Sequence, residues 1–398
     1  RFTHRTARVT VVLTDYTEER MFVRLTGLST ENGNPAQITP YNKGGDTYTA
    51  LVAPQSVATG TAFITCKFTN GKVFVYKMKN DTDWQAGKEY TYTVSLAAAK
   101  DPGYTVSEDG KTYTVTSADG LLAWNEAVQK DMTLNCTLAD NIDLTGKDWT
   151  PIGTSFGNSY TGTFDGNGKT ITGLTVTGSD RYTGLFGFIK GTVKNVVLTE
   201  INITSGTFVG GVAGWSFGGN IENCSVSGSV SGSDVGGVVG YQQGGSITGC
   251  SSSATVKGTQ RAGGVAGTTN SGATLTACYA TGDVTVENDG TSNAWAGGVV
   301  GSNAYSTVIA CYAAGNVSGT GSGTIHVGGV TGENFDGTLT ACYWSGLPDN
   351  DNGGATKVDG TTVTWQTAVA AMNAALSGKG WQYELKDGNS LPTLKKEQ

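Results

Sequence analysis

Over residues 1–99 hydrophobic and polar positions alternate with a period of two. Segments 7–13, 62–68, 73–77 and 90–96 carry β-branched and aromatic residues in that rhythm, and Asn70-Gly71 between two of them is a hairpin signal. The pattern predicts a small antiparallel, sandwich-like β-domain. Lys100-Asp101-Pro102-Gly103 then interrupts it with turn residues, so 100–116 reads as a linker and lead-in strand. At Ser117 the period becomes helical: Ser117 is an N-cap, Asp119 lies in the first turn, and Leu121, Trp124 and Val128 share a face. A second helix is written by Trp365, Val369, Met372 and Leu376, closed by Gly378.

Between the helices the text repeats. GGVAG at Gly210 recurs as GGVVG at Gly236, GGVAG at Gly263, GGVVG at Gly297 and GGVTG at Gly328, in steps of 26, 27, 34 and 31 residues, with a degenerate forerunner at Gly184-Leu185-Phe186-Gly187. A cysteine follows the second glycine of each full copy by 13 or 14 residues: Cys224, Cys250, Cys278, Cys311 and Cys342. Repeats of this size mean a solenoid, and alternating Val, Ser, Thr and Gly favour short strands with tight corners over helices. The expectation is an all-β chain: an N-terminal antiparallel sandwich-like domain (1–99), then a right-handed parallel β-helix (117–345) with short helical caps, the C-terminal one spanning 346–398. Including degenerate coils from Thr133, about eight coils would stack into a rod of roughly 40 Å. Val212, Val238, Val265, Val299 and Val330 should form one inner column and the five cysteines another.

Composition narrows the function classes. The 60 glycines are about twice the usual share, and charged residues are only 15%. A net charge of −7 without a Lys/Arg cluster speaks against nucleic acid, and no run of ~18 apolar residues suggests a membrane span. Two histidines, His4 and His326, leave little room for His-based metal or triad chemistry. The chain begins at Arg1 without Met, signal peptide or lipoprotein cysteine and reads as a processed or truncated piece.

The cysteines look like chemistry at first. Val196 occupies the equivalent place in the first coil, so the column reads as a small-hydrophobe ladder of free thiols. Asp349-Asn350-Asp351-Asn352-Gly353 resembles the start of a calcium loop, yet Gly360 stands where the bidentate glutamate belongs, so it reads as a polar surface loop. Phe164 to Lys169 reads as a corner. An enzymatic β-helix needs paired carboxylates, or a basic residue beside acids, on one exposed face. Between 205 and 345 only Glu222, Asp234, Lys257, Arg261, Asp283, Glu287, Asp289, Glu333 and Asp336 are charged, and they read as scattered, no two at equivalent repeat positions. The residues just after the cysteines, Ser225, Ser251, Tyr279, Tyr312 and Tyr343, should face outward. The three tyrosines then form either a ligand-binding strip, edged by Trp344 and loops at 288–293 and 319–324, or a brace for the coils.

The strings VGGVAG, VGGVVG and AGGVAG, with their intervening Ile-x-x-Cys pieces, resemble the GLUG-motif repeats of bacterial surface proteins over roughly 181–345. Such repeats also occur in IgA-peptidase-type proteins, but His-Glu-x-x-His is absent, so no peptidase activity carries over. His4-Arg5-Thr6-Ala7-Arg8-Val9, Ala50-Leu51-Val52-Ala53-Pro54-Gln55, Asn70-Gly71-Lys72 and the run from Trp84 to Tyr92 resemble the C-terminal half of fimbrillin-like proteins of the Bacteroides type. Together these resemblances imply a non-enzymatic adhesin or fimbrial tip-type component at the cell surface. Its β-helix would bind a host or bacterial glycan or protein, alongside other fimbrial subunits, as an outer-membrane lipoprotein or fimbria-associated chain whose anchor lies elsewhere. No cofactor, metal or catalytic residue is expected. A carbohydrate-active β-helix enzyme, lyase or hydrolase, and a purely structural stalk are the alternatives.

Overall fold

A computed structural model describes residues 5–16, 21–31, 34–69, 71–96, 102–178, 180–204, 206–387 and 390–397. His4, Asn70, Lys100 and Asp101 lie outside the described residues. The chain divides into two compact units, Arg1–Val106 and Ser107–Gln398.

In the first unit the apolar strand Ala7–Thr14 pairs on both edges, antiparallel to Thr47–Val52 and parallel to Glu89–Ser95. Met21–Leu25, Ala62–Phe68 and Val73–Lys77 form a second, antiparallel sheet, with the hairpin where its turn signal lies. Val9, Val11, Leu13, Leu25, Phe63, Cys66 and Trp84 fill the core. The parallel pair joins the two ends of the unit, an association no turn signal announces.

The second unit is a parallel β-solenoid of about seven turns between residues 136 and 344. The expected count was about eight. Ahead of 136 the chain supplies a strand, Thr112–Val115, and the helix α1, Ala118–Val128, in place of a complete coil. One wall stacks Thr163–Asp165, Thr192–Lys194, Asn220–Glu222, Ser246–Thr248, Thr274–Thr276, Thr307–Ile309 and Thr338–Thr340 in register. Their central residues, among them Phe164, Val193, Ile221, Ile247, Leu275 and Val308, point into a dry core. Every valine of the predicted column is fully buried, and Val212, Val238, Val265 and Val299 each donate their N–H to the carbonyl of the matching valine of the next coil at 2.9 Å.

The cysteine ladder is also there, and Val196 is buried at the equivalent position. All five of its thiols are buried and free. Cys224 donates to Glu222 O at 3.3 Å and Cys311 to Ile309 O at 3.3 Å, so the thiol hydrogens close onto their own corners. Burial pushes the Cys342 thiol up to about 12, and those of Cys224, Cys250 and Cys278 well above their ordinary value. Thiols held protonated in this way are packing groups, not nucleophiles.

Both ends of the coil stack are closed. At the first, Ser117 Oγ accepts from Gly120 N at 3.1 Å to start α1, which lays Trp124 against Tyr160, Phe164 and Phe186. At the other, the loop read as polar surface has a structural duty. Asp351 Oδ1 accepts from Val330 N at 2.8 Å and Thr331 N at 2.7 Å, and Gly329 N donates to Asn350 O, satisfying last-coil donors that no further coil would meet. The predicted corner at Phe164 to Lys169 is a turn, with Asn167 at φ 51°.

Candidate functional site

Ser225, Ser251, Tyr279, Tyr312 and Tyr343 do form one register column, and the Tyr279 and Tyr312 rings stack at 5.0 Å and 3°. They are not an open strip. The second helix, α2 (Trp365–Ala375), and the hairpin Trp381–Glu384/Thr393–Lys396 lie on them. Tyr312 is fully buried against Trp365 and Tyr383, and its hydroxyl donates to Pro392 O at 2.6 Å. The C-terminal segment therefore covers a side wall as well as the end: Lys396 reaches back to Glu222 at 2.7 Å. Apolar rings in register recruit a cover more readily than they stay wet. Trp344 is displaced too. It sits inside the last coil, 5% exposed, with its Nε1 donating to Pro348 O, so it edges no surface strip. The loops at 288–293 and 319–324 bond to one another, Asn288 N to Thr320 O and Gly323 N to Asn288 O.

The corners before the cysteines show how the cover fits. Asn195, Asn223, Gly249, Ala277, Ala310 and Ala341 all have φ between 51° and 65°. Left-handed backbone suits Asn and Gly and costs alanine roughly 1 kcal/mol. The alanines occur where the cover lies: Ala277 and Ala310 belong to its core, and a Cβ on Gly249 would stand 2.2 Å from Trp381.

The glycine motif builds a different exterior feature. Two residues before the first glycine of each repeat, Tyr182 of the degenerate copy and then Phe208, Asp234, Arg261, Trp295 and His326 stack in register. Directly after the last glycine, Phe188, Trp215, Tyr241, Thr268, Ser302 and Glu333 form a second column. The glycines let the two strands of one coil close up: a Cβ on Gly236 would meet Val239 O at 2.1 Å. The columns consequently run side by side as a seam. At one end the seam is aromatic: Tyr182 stacks on Phe208 at 5.8 Å, Phe188 on Trp215 at 5.7 Å, and Phe208 meets Trp215 at 4.8 Å. Arg181 lies over the Tyr182 and Phe208 rings. At the other, His326 and Arg261 flank Trp295, and Ser302 donates to Glu333 at 2.6 Å.

In the middle, Arg261 Nη1 donates to both oxygens of Asp234 at 3.2 and 3.1 Å. The charged residues are thus not all scattered: these two hold equivalent positions in successive coils. Burial raises the Asp234 carboxyl above its ordinary pKa, and Arg261 opposes that rise without cancelling it. Trp215 Nε1 and Thr268 Oγ1 are buried in the seam with no partner among the described residues. No three His, Cys, Asp or Glu side chains converge among those residues to hold a metal. The seam was readable in principle, since chemistry varies at two fixed offsets from constant glycines.

The second unit is thus a β-solenoid with two in-register columns of aromatic, charged and polar side chains outside its coils, of which Phe188, Phe208, Asp234, Thr268 and Ser302 are buried. Residues 1–117 match the fimbrillin-like family, and residues 205–231 and 231–257 match the GLUG motif. The chain thus carries a fimbrillin-like region and GLUG repeats, which together fit a surface adhesion component and suggest a cell-surface location. A curated relative, Halomucin of Haloquadratum walsbyi, is 36% identical over 108 residues, 24% of this chain; the chain spans 1% of that protein's length. A crystal structure of a candidate immunoglobulin A1 protease from Bacteroides ovatus shares the fold at 20% identity and TM-score 0.56, covering 72% of this chain and 93% of that one. An IgA1 protease structure aligns at 16% identity and TM-score 0.45, over 87% of this chain and 28% of that one. Among the described residues no helix is long and apolar enough to cross a membrane.

Proposed function

We propose that the chain is a non-enzymatic surface adhesion protein, fimbria-associated or held by an outer-membrane lipid anchor, that grips a glycan or protein partner along the solenoid seam. The observation that carries this reading is the in-register aromatic cluster outside the coils, in which Tyr182, Trp215 and Tyr241 stay half-buried and Phe208 is buried among them. Aromatic rings with one apolar face and a polar tip suit saccharide and protein partners alike. Trp215 Nε1 and Thr268 Oγ1 are buried polar groups beside this cluster that an ordered water can satisfy. The fimbrillin-like region supports contact with other fimbrial subunits as part of this reading.

A carbohydrate-active enzyme is the second reading, favoured by the Asp234–Arg261 pair beside the aromatics. It lacks support from a second carboxylate: the four register neighbours of the pair along and across the seam are Phe208, Trp295, Tyr241 and Thr268, whereas glycosidases set two carboxyl groups roughly 5 to 10 Å apart. The test is binding to an array of glycans and host surface proteins. Tyr182→Ala with Trp215→Ala should lower binding at least about tenfold, near 1.4 kcal/mol, with the thermal melt still cooperative. Release of reducing ends or unsaturated sugars from any arrayed glycan, lost in Asp234→Asn, would establish the enzyme instead.

A further inference from the structure

The tyrosine ladder stops at Tyr279. Its next two rungs are Ser251 and Ser225, and beyond them Val197, all in the same register column. Tyr312 covers one face of the Tyr279 ring. The other faces the Ser251 rung, where two adjoining cavities of about 200 and 260 Å³ lie along the wall beside the cover. Both are bounded by Val197, Ser225, Ser251 and Tyr279. One is closed laterally by Trp381 and Leu394 of the cover, and the other continues over Thr199, Ser227, Ser253 and Thr281. Two serines stand at rungs where the following coils carry rings, which leaves ring-sized gaps beside an aromatic stack whose rungs are about 4.8 Å apart.

We infer that these vacated rungs bind a neutral saccharide, one pyranose ring continuing the stack on Tyr279 and the next lying over Ser225. The chemistry of the lining selects this occupant. The apolar face of a sugar ring fits an aromatic face, and its hydroxyls need donors and acceptors around their edge. Ser225, Ser251 and Ser253 supply hydroxyls with no side-chain partner among the described residues, and Asn223 supplies an amide whose Nδ2 is already committed to Asn195 at 2.8 Å. Among the described residues no charged side chain borders either cavity. A carboxylated sugar or a charged peptide would have to give up water there without an ionic partner. This site is separate from the seam and stands or falls independently of it.

The test uses the whole chain and saturation-transfer NMR with methyl glycosides of glucose, galactose, mannose and N-acetylglucosamine. Methyl glucuronide and an uncharged tetrapeptide serve as contrasts. At least one neutral glycoside should bind with millimolar Kd and shift the Trp381 indole N–H resonance. Ser251→Tyr, which refills the first vacated rung with the residue found at 279 and 312, should weaken that binding at least tenfold. If Ser251→Tyr does not fold, Ser225→Tyr refills the second rung to the same end. Tyr182→Ala with Trp215→Ala should leave this binding unchanged. The proposal is overturned if no neutral glycoside moves the Trp381 resonance, if a folded rung-filling variant binds as the parent does, or if glucuronide or the peptide binds more tightly.

Discussion

Asp234 is a residue at which stability and surface chemistry pull apart. Its folded pKa is raised, mainly by burial, so the folded state holds the proton more tightly than the unfolded chain. The protonated form therefore adds stability below the unfolded pKa of about 3.9, and that contribution is lost as pH rises through the folded value. Asp234→Asn has no such proton. Relative to the parent, the variant should gain stability between pH 3 and pH 7 in urea melts, with Arg261, 31% exposed, turning to solvent; a constant difference across that range would refute the argument. A buried ion pair kept at a net cost to folding is better explained by recognition than by stability. Gly249 tests packing in the same way. Asn is already used at the equivalent left-handed corners 195 and 223, so Gly249→Asn adds little backbone strain and its penalty reports the collision with Trp381. About 1 to 3 kcal/mol of overpacking is expected, read as a red shift of Trp fluorescence and faster proteolysis of the C-terminal cover.

Among the elements, the coil interior is the least forgiving. Val265 is fully buried between Val238 and Val299, and Val265→Asp would place an unpaired carboxylate in a narrow core at a cost of several kcal/mol. Loss of soluble, cooperatively melting protein is the expected outcome. The sequence made the coils legible because Gly-Gly-Val and Cys recur at fixed steps, and each such position does one job in every coil. The cover was legible only in part. Trp365, Met372 and Leu376 announced a helix, but nothing local states that its apolar face meets Tyr312, since the partners lie far apart in sequence. Outward alternation correctly placed the tyrosines outside their own coil. It is blind to a second layer arriving later in the chain. The seam was missed for the opposite reason: Tyr182, Phe208, Asp234, Arg261, Trp295 and His326 share a position but no chemistry, so a search for sameness passes over them.

For the molecule as a whole, two units with separate cores should respond separately. Cleavage within residues 97–106 is expected to leave a piece holding Ser107–Gln398 that keeps its own thermal transition, as followed by calorimetry; a fragment that unfolds on release would show that the solenoid depends on the first unit. The repeat register has a further bearing on how such a chain can change over generations. Asp234 and Arg261 are register partners in neighbouring coils, so excising residues 234–260 would join equivalent points of one coil and the next. Each hydrogen-bonding edge would meet an edge of the same form, while Phe208 acquired Arg261 as its neighbour. Unequal recombination between repeats can in this way revise what the surface displays in a single event, with the scaffold shortened by one storey and otherwise conserved. For a repeat protein of this kind, that is a route to a new face without passing through an unfolded ancestor.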